Sequence, residues 1–323
     1  MPQKKTHGVR EEQEMSLSGL LKGCGERERA FQEMLRSFLP EPKQFYTASG
    51  HKAFSKEYQL RAPAAQALER RDVAFVGTAF TNLAEVMVAR AFERGKRAVL
   101  SFPLAFKGLE LATEKLGSAE VVKQQLKDFF TASVLKVERF VKGGESIEKI
   151  LPACYYLSKL EQLSGLYQDV WPKNIPAYLK AREQRELVAD LERLCGVFNH
   201  VFIQSGLAGG KSRAVFRPSL GRLSDELGGA GVSFYLDGTL YYMKTSQTYG
   251  YRWREIAQAV SGYLLYLLDC GQARPTHALG ELRVERLAFY QARFGEIEYL
   301  DLSRLDSLAI ETAAQNLKAF FTK

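Results

Sequence analysis

One short stretch limits this chain more than any other: Gly228 to Ser246, GGAGVSFYLDGTLYYMKTS, reads as a β-hairpin with a fixed register. Asp237-Gly238 accepts the positive φ angles of a two-residue type I′ turn, and the runs on either side are rich in β-formers. Such a turn sets Leu236 opposite Thr239, Ser233 opposite Tyr242 and Gly231 opposite Lys244, and residues two apart share a face. Val232, Phe234, Leu236, Tyr241 and Met243 then make an apolar face that suits a core. The other face gathers Gly231, Ser233, Tyr235, Tyr242 and Lys244. A lysine directed off a central strand calls for a partner or a ligand, because an unpaired ammonium is costly to bury.

On these residues the hairpin resembles the PD-(D/E)XK nuclease superfamily, in its RecB-like branch. The resemblance implies an aspartate on a strand entered through a GGAD-like turn and Asp/Glu-x-Lys on the next strand. The two carboxylates would hold Mg²⁺, while the lysine orients water or the leaving phosphate. Here the lysine is Lys244, but the first acid position is Gly231 and the second is Tyr242. Ser233, where relatives often carry another acid, brings no charge. The expectation is a remnant site, Glu85, Gly231, Ser233, Tyr242 and Lys244, with no metal and no cofactor. Its function would be to bind DNA or RNA, or a protein partner, through the former cleft. The rival reading is an active Mg²⁺-dependent nuclease with displaced acids, pairing Glu85 with Asp225, Glu226 or Asp237. Asp237 lies in the turn and the other two precede the strand, which is poor geometry. A third reading is a structural subunit of an assembly.

The resemblance extends to the flanks. VGTAFTNLAEVMVARAFERG, from Val76, is similar to the first family helix, with Thr81 where relatives tend to have Asp or His and Glu85 a turn further on. REIAQAVSGYLLYLLD is similar to the helix after the lysine strand, which carries Gln-x-x-x-Tyr. Tyr263 is in place, but the glutamine position falls on Ala259 and Gln258 is one residue off. RVERLAFYQARFGEIEYLDLSRL reads as two strands around a turn at Gly295, like the closing hairpin of that branch.

The fold expected is α/β, a PD-(D/E)XK nuclease-like core sheet flanked by helices, with a large helical insertion. Residues 1–60 read as a polar, partly ordered extension, with a helix-like segment near Glu26 to Leu39 ended by Pro40 and Pro42. Residues 61–323 form the nuclease-like domain, with the insertion at about 109–203, where apolar residues recur at three and four spacing. RAVLSFPLAF, from Arg97, reads as a short strand and turn. With 323 residues, 46% of them hydrophobic, the chain can bury one large core or two modest ones. Cys24, Cys154, Cys195 and Cys270 stand far apart and imply neither zinc nor a disulfide framework. The chain has no apolar run of the roughly 18 residues that spans a bilayer, and no secretory signal pattern near Met1, so no membrane and a cytoplasmic location are expected.

Two further features carry charge. SGLAGGKS, Ser205 to Ser212, falls one residue short of the phosphate-binding Gly-x4-Gly-Lys-Ser/Thr loop, with the strand-like VFNHVFIQ before it. Ser205 replaces the first glycine and Pro218 comes too soon for the following helix, so the ordinary reading is a basic glycine-rich loop. The formal net charge of +8 favours an acidic partner. KSRAVFRPSLGRLS offers Lys211, Arg213, Arg217 and Arg222, and TYGYRWRE interleaves Tyr249, Tyr251 and Trp253 with Arg252 and Arg254. Of these, Lys211, Arg213, Arg217, Arg222, Tyr249, Arg252, Trp253 and Arg254 are the candidate nucleic-acid contacts, cations for phosphates and rings for bases. His7, His51, His200 and His277 lack ligand spacing.

Overall fold

Strand alternation sets the layering. The computed structural model describes residues 16–64, 70–92, 100–165, 171–180 and 185–322. Six strands form one sheet: β1 (Phe45–Thr47), β2 (Ala214–Phe216), β3 (Phe234–Leu236), β4 (Thr239–Lys244), β5 (Arg286–Gln291) and β6 (Glu296–Asp301). Their order is β1-β6-β5-β4-β3-β2, with β4 and β5 parallel and the other neighbours antiparallel. A parallel pair needs a crossover, and the helix Trp253–Cys270 supplies it.

Successive residues point to opposite faces, so one alternating strand set feeds two cores. Phe234, Leu236, Tyr241, Ala288 and Tyr290 enter the first, and Tyr235, Leu240, Tyr242, Leu287 and Phe289 enter the second. The helices are α1 (Leu17–Lys22), α2 (Glu26–Arg36), α3 (Arg70–Ala91), α4 (Pro103–Lys115), α5 (Glu120–Val141), α6 (Ile147–Gly165), α7 (Ile175–Lys180), α8 (Arg185–Phe198), α9 (Arg222–Glu226), α10 (Trp253–Cys270) and α11 (Ser307–Thr322). Helices α3 to α8 build the first core; α1, α2, α10 and α11 build the second. On α10, Ile256, Val260 and Leu264 recur every four residues and are buried in the second core, and Ala259 and Gly262 meet Tyr242 of β4.

Several expectations change. The segment over residues 17–60, anticipated as a partly ordered extension, contributes Leu17, Leu20, Leu21, Phe31 and Leu35 to the second core and β1 to the sheet edge. Residues 97–99 lie outside the described residues, Leu100–Phe102 form no strand, and Pro103 opens α4, a position where its missing N–H costs nothing. VFNHVFIQ is helical: α8 runs to Phe198 and continues as a wider turn over Asn199–Gln204. The glycine-rich loop from Ser205 thus follows a helix, and the phosphate-loop reading loses its strand.

One buried ion pair ties the helical layer to the closing hairpin. Arg293, in the turn between β5 and β6, donates from Nη1 and Nη2 to the two carboxylate oxygens of Asp190 on α8 at 2.8 and 2.7 Å. Its remaining donors reach the carbonyls of Ala62 at 3.0 Å and Thr245 at 2.7 Å. Both side chains are fully buried, so the fork geometry compensates the desolvation of two charges.

Candidate functional site

The hairpin turns as its sequence requires. Asp237 and Gly238 adopt φ of 44° and 83°, and Asp237 Oδ1 accepts the Arg213 N–H at 2.8 Å. Leu236 pairs with Thr239, Tyr235 with Leu240 and Phe234 with Tyr241. The face expected to be a polar cleft is covered by α10. Tyr242 is buried, its ring stacks on Phe289 with centroids 5.5 Å apart, and its hydroxyl donates to the Ala259 carbonyl at 3.4 Å. Burial pushes its phenol well above the usual range. Gly262 makes the approach possible, since a Cβ there would meet Ala230 Cβ at 2.5 Å and the Tyr242 hydroxyl at 3.3 Å.

Gly231, the other vacant acid position, lies before β3 at φ 71° and outside the ladder, so it does not pair with Lys244. A Cβ on it would meet Gln258 Nε2 at 2.6 Å. Ser233 is buried, and its N–H donates to the Tyr241 carbonyl at 2.9 Å. Val232, expected on one apolar face with Phe234 and Leu236, precedes β3 and packs on the second core, opposite those two.

Lys244 ends β4 with its Nζ 3.4 Å from Glu255 Oε2. Glu255, in the first turn of α10, also pairs with Arg252 at 3.3 Å, and Arg252 Nη2 donates to Ser246 Oγ at 2.8 Å. Burial lowers the Lys244 pKa, while Glu255 works in the opposite direction. Phe54, Thr248 and Gln291 complete a cleft of about 10 Å³, room for roughly one water. Among the described residues, no group of three or more His, Cys, Asp or Glu side chains could hold a metal ion. Glu255 is the site residue that sequence reasoning missed; its signal is an acid in the first turn of the helix that follows the lysine strand.

Glu85 is on the other side of the sheet. It is buried on α3, 2.8 Å from Arg217 Nε, while Arg217 Nη1 reaches Glu161 on α6 at 3.2 Å. Arg217 also donates to Asn82, whose amide donates to Ser158 at 2.7 Å. Lys244 instead faces Ile256 and Phe289 of the second core, so Glu85 and Lys244 do not converge. The other displaced acids have local partners: Asp225 accepts Ser219 Oγ, Glu226 pairs with Arg222, and Asp237 holds the turn. Thr81 donates back to the Gly77 carbonyl.

Two carboxylates face one guanidinium in that cluster, and Glu85 Oε1 has no hydrogen-bond partner among the described residues. Burial raises the Glu85 pKa to about 7 against the pull of Arg217. A folded-state pKa above the unfolded value near 4.5 means stability that is full below about pH 4.5 and lost as pH rises through 7. The slope is worth up to about 3 kcal/mol. Urea titrations from pH 4.5 to 8 are expected to show this loss in the wild type and a flatter profile in Glu85→Gln; parallel profiles would refute the assignment.

The candidate nucleic-acid contacts do not form one surface. Arg217 is committed to the buried cluster, at φ 44°, and Arg252 to Glu255. Trp253 lies between the guanidinium groups of Arg36 and Arg254, 4.3 and 5.0 Å from its centroid. Arg254 also donates to the Leu21 carbonyl. Tyr249 packs on Phe294 and donates to the Tyr58 carbonyl. Lys211, Arg213, Arg222 and Arg254 are solvent-exposed, Arg222 alongside Glu226. No helix among the described residues is long and apolar enough to cross a membrane. No protein-family model, no curated protein and no solved structure matches this chain.

Proposed function

We propose that this protein is a catalytically inactive nuclease-like module that binds nucleic acid through its exposed cations. The observation that carries the reading is the condition of the two acid positions: Gly231 is outside the ladder, and Tyr242 fills its place with a buried ring. The succession of α3, the β3–β4 hairpin ending at Lys244, α10 and the β5–β6 hairpin supports the PD-(D/E)XK resemblance, because it is the order of segments that the family implies. A hard divalent cation needs several anionic oxygens. Beside Lys244 there is one carboxylate among the described residues, Glu255, shared with Arg252, which leaves positive charge in excess. That excess, the net charge of +8 and the exposed Lys211, Arg213, Arg222 and Arg254 favour a polyanion.

Fluorescence anisotropy with labelled DNA and RNA, with and without Mg²⁺ and followed on gels, tests the reading. Binding without cleavage is expected, with affinity falling steeply with salt, a logarithmic slope of about −0.7 to −0.9 per neutralised phosphate. Alanine at Lys211, Arg213, Arg222 and Arg254 together should shrink that slope. Mg²⁺-dependent cleavage lost in Lys244→Ala would overturn inactivity. Absence of binding at low salt would overturn the nucleic-acid partner and point to a protein one.

A further inference from the structure

The C-terminal end of α10 brings together groups that the proposed function does not use. Cys270 is the last residue of α10 and is exposed, and the following loop returns to set His277 Nε2 3.5 Å from its Sγ. Asp269 holds that return. Its carboxylate accepts the Thr276 hydroxyl and N–H, each at 2.7 Å, and the His277 N–H at 2.8 Å. Gly221 leaves the space for it, since a Cβ there would lie 2.5 Å from Asp269 Cβ. The imidazole meets the Tyr266 ring edge-on, with centroids 4.9 Å apart.

The other ring nitrogen is not engaged elsewhere. His277 Nδ1 is buried and bonds nothing among the described residues, so Nε2, toward the sulfur, is where the ring makes its hydrogen bond. A donor aimed at a sulfur favours the thiolate, the nucleophilic form. Two features act the other way: the helix C-terminus is the negative end of its dipole, and Asp269 is anionic. The carboxylate is spread over three donors, however, and Tyr263 and Tyr266, the other titratable groups facing Cys270, are neutral, their phenols raised by burial.

We propose that Cys270 is a reactive thiol that undergoes exchange with small disulfides, with His277 as the positioning residue that orients its sulfur through Nε2. The Cys270 thiolate attacks one sulfur of R–S–S–R. A Cys270–S–S–R bond forms as the original S–S bond breaks, and the departing R–S⁻ takes a proton from water. The disulfide is the oxidant, so nothing further is needed.

The chain contains its own control in Cys24, which is also exposed but has no imidazole beside it among the described residues; Cys154 and Cys195 are buried. Glutathione disulfide is added to the folded protein at neutral pH, and the mixed disulfide is followed on the Cys24 and Cys270 peptides by mass spectrometry. Cys270 should react about three- to tenfold faster than Cys24, since exchange rates respond to the hydrogen-bonding surroundings and access of the attacking sulfur. His277→Ala should bring Cys270 down to the Cys24 rate, and His277→Gln, which keeps a donor, should retain most of the difference. Equal rates in the wild type would overturn the proposal, as would an unchanged Cys270 rate in folded His277→Ala. If that variant does not fold, the wild-type ratio decides alone.

Discussion

Tyr242→Asp is expected to leave the chain unfolded at neutral pH instead of rebuilding a metal site. Removing a buried aromatic side chain costs about 3–5 kcal/mol, and Tyr242 is stacked on Phe289 beneath α10. The incoming carboxylate adds an unpaired charge in an apolar layer. The sum is comparable with the whole stability of a typical domain, about 5–15 kcal/mol. Tyr242→Phe loses one long hydrogen bond to Ala259 and should cost only about 1 kcal/mol. Far-UV circular dichroism during urea unfolding distinguishes these outcomes; an aspartate variant with the wild-type midpoint would mean that α10 does not cover this face. Gly231 is exposed but no better a place for an added acid, since its φ of 71° strains any side chain and a Cβ there would also have to displace the end of Gln258.

Asp190→Ala is expected to destabilise the protein by about 3–5 kcal/mol, because the fully buried Arg293 loses its carboxylate partner. The loss should be far larger than for Glu226→Ala, whose pairing with Arg222 is solvent-exposed. Replacing both partners, Asp190→Leu with Arg293→Met, should recover most of the stability, since no buried charge is then left without a counter-ion; Arg193, which also pairs with Asp190 at 3.3 Å, is solvent-accessible. Urea midpoints of the three variants test this; an Asp190→Ala midpoint equal to that of the wild type would show that the pair is not buried in solution.

The parts of this fold that sequence reveals are those governed by local geometry. Asp237-Gly238 dictates a turn, and a two-residue turn dictates the pairing of Leu236 with Thr239. Gly295 at φ 65° marks the closing hairpin in the same way. What escapes is decided by partners distant in sequence. Tyr235 and Tyr242 read as a polar face because tyrosine suits water and core alike, and only the docking of α10 settles which. Helical periodicity locates Glu85 on α3 but does not say which side of the sheet α3 covers. Arg217 looks like a free cation because its carboxylates come from α3 and α6, far upstream. VFNHVFIQ is a short apolar run of the kind that periodicity assigns poorly, and it becomes helical as a continuation of α8.

The pairing of β1 with β6 has a consequence for how the chain reaches this state. Phe45 lies against Leu300 and Thr47 against Glu298, so the strand nearest the start waits for one near the end. Closing so long a loop adds little to the equilibrium cost, about 0.6 kcal/mol for each doubling of length. It delays the pairing, however, because contacts distant in sequence form late. On a ribosome, where the chain emerges from its N-terminus, the apolar faces of α1 and α2 are made long before β6 exists to complete the sheet beneath them. A nascent or truncated chain therefore presents Leu17, Leu21, Phe31 and Phe45 to its surroundings. The topology that puts β1 at the edge of the finished sheet leaves the unfinished chain with exposed apolar surface, the condition that favours aggregation.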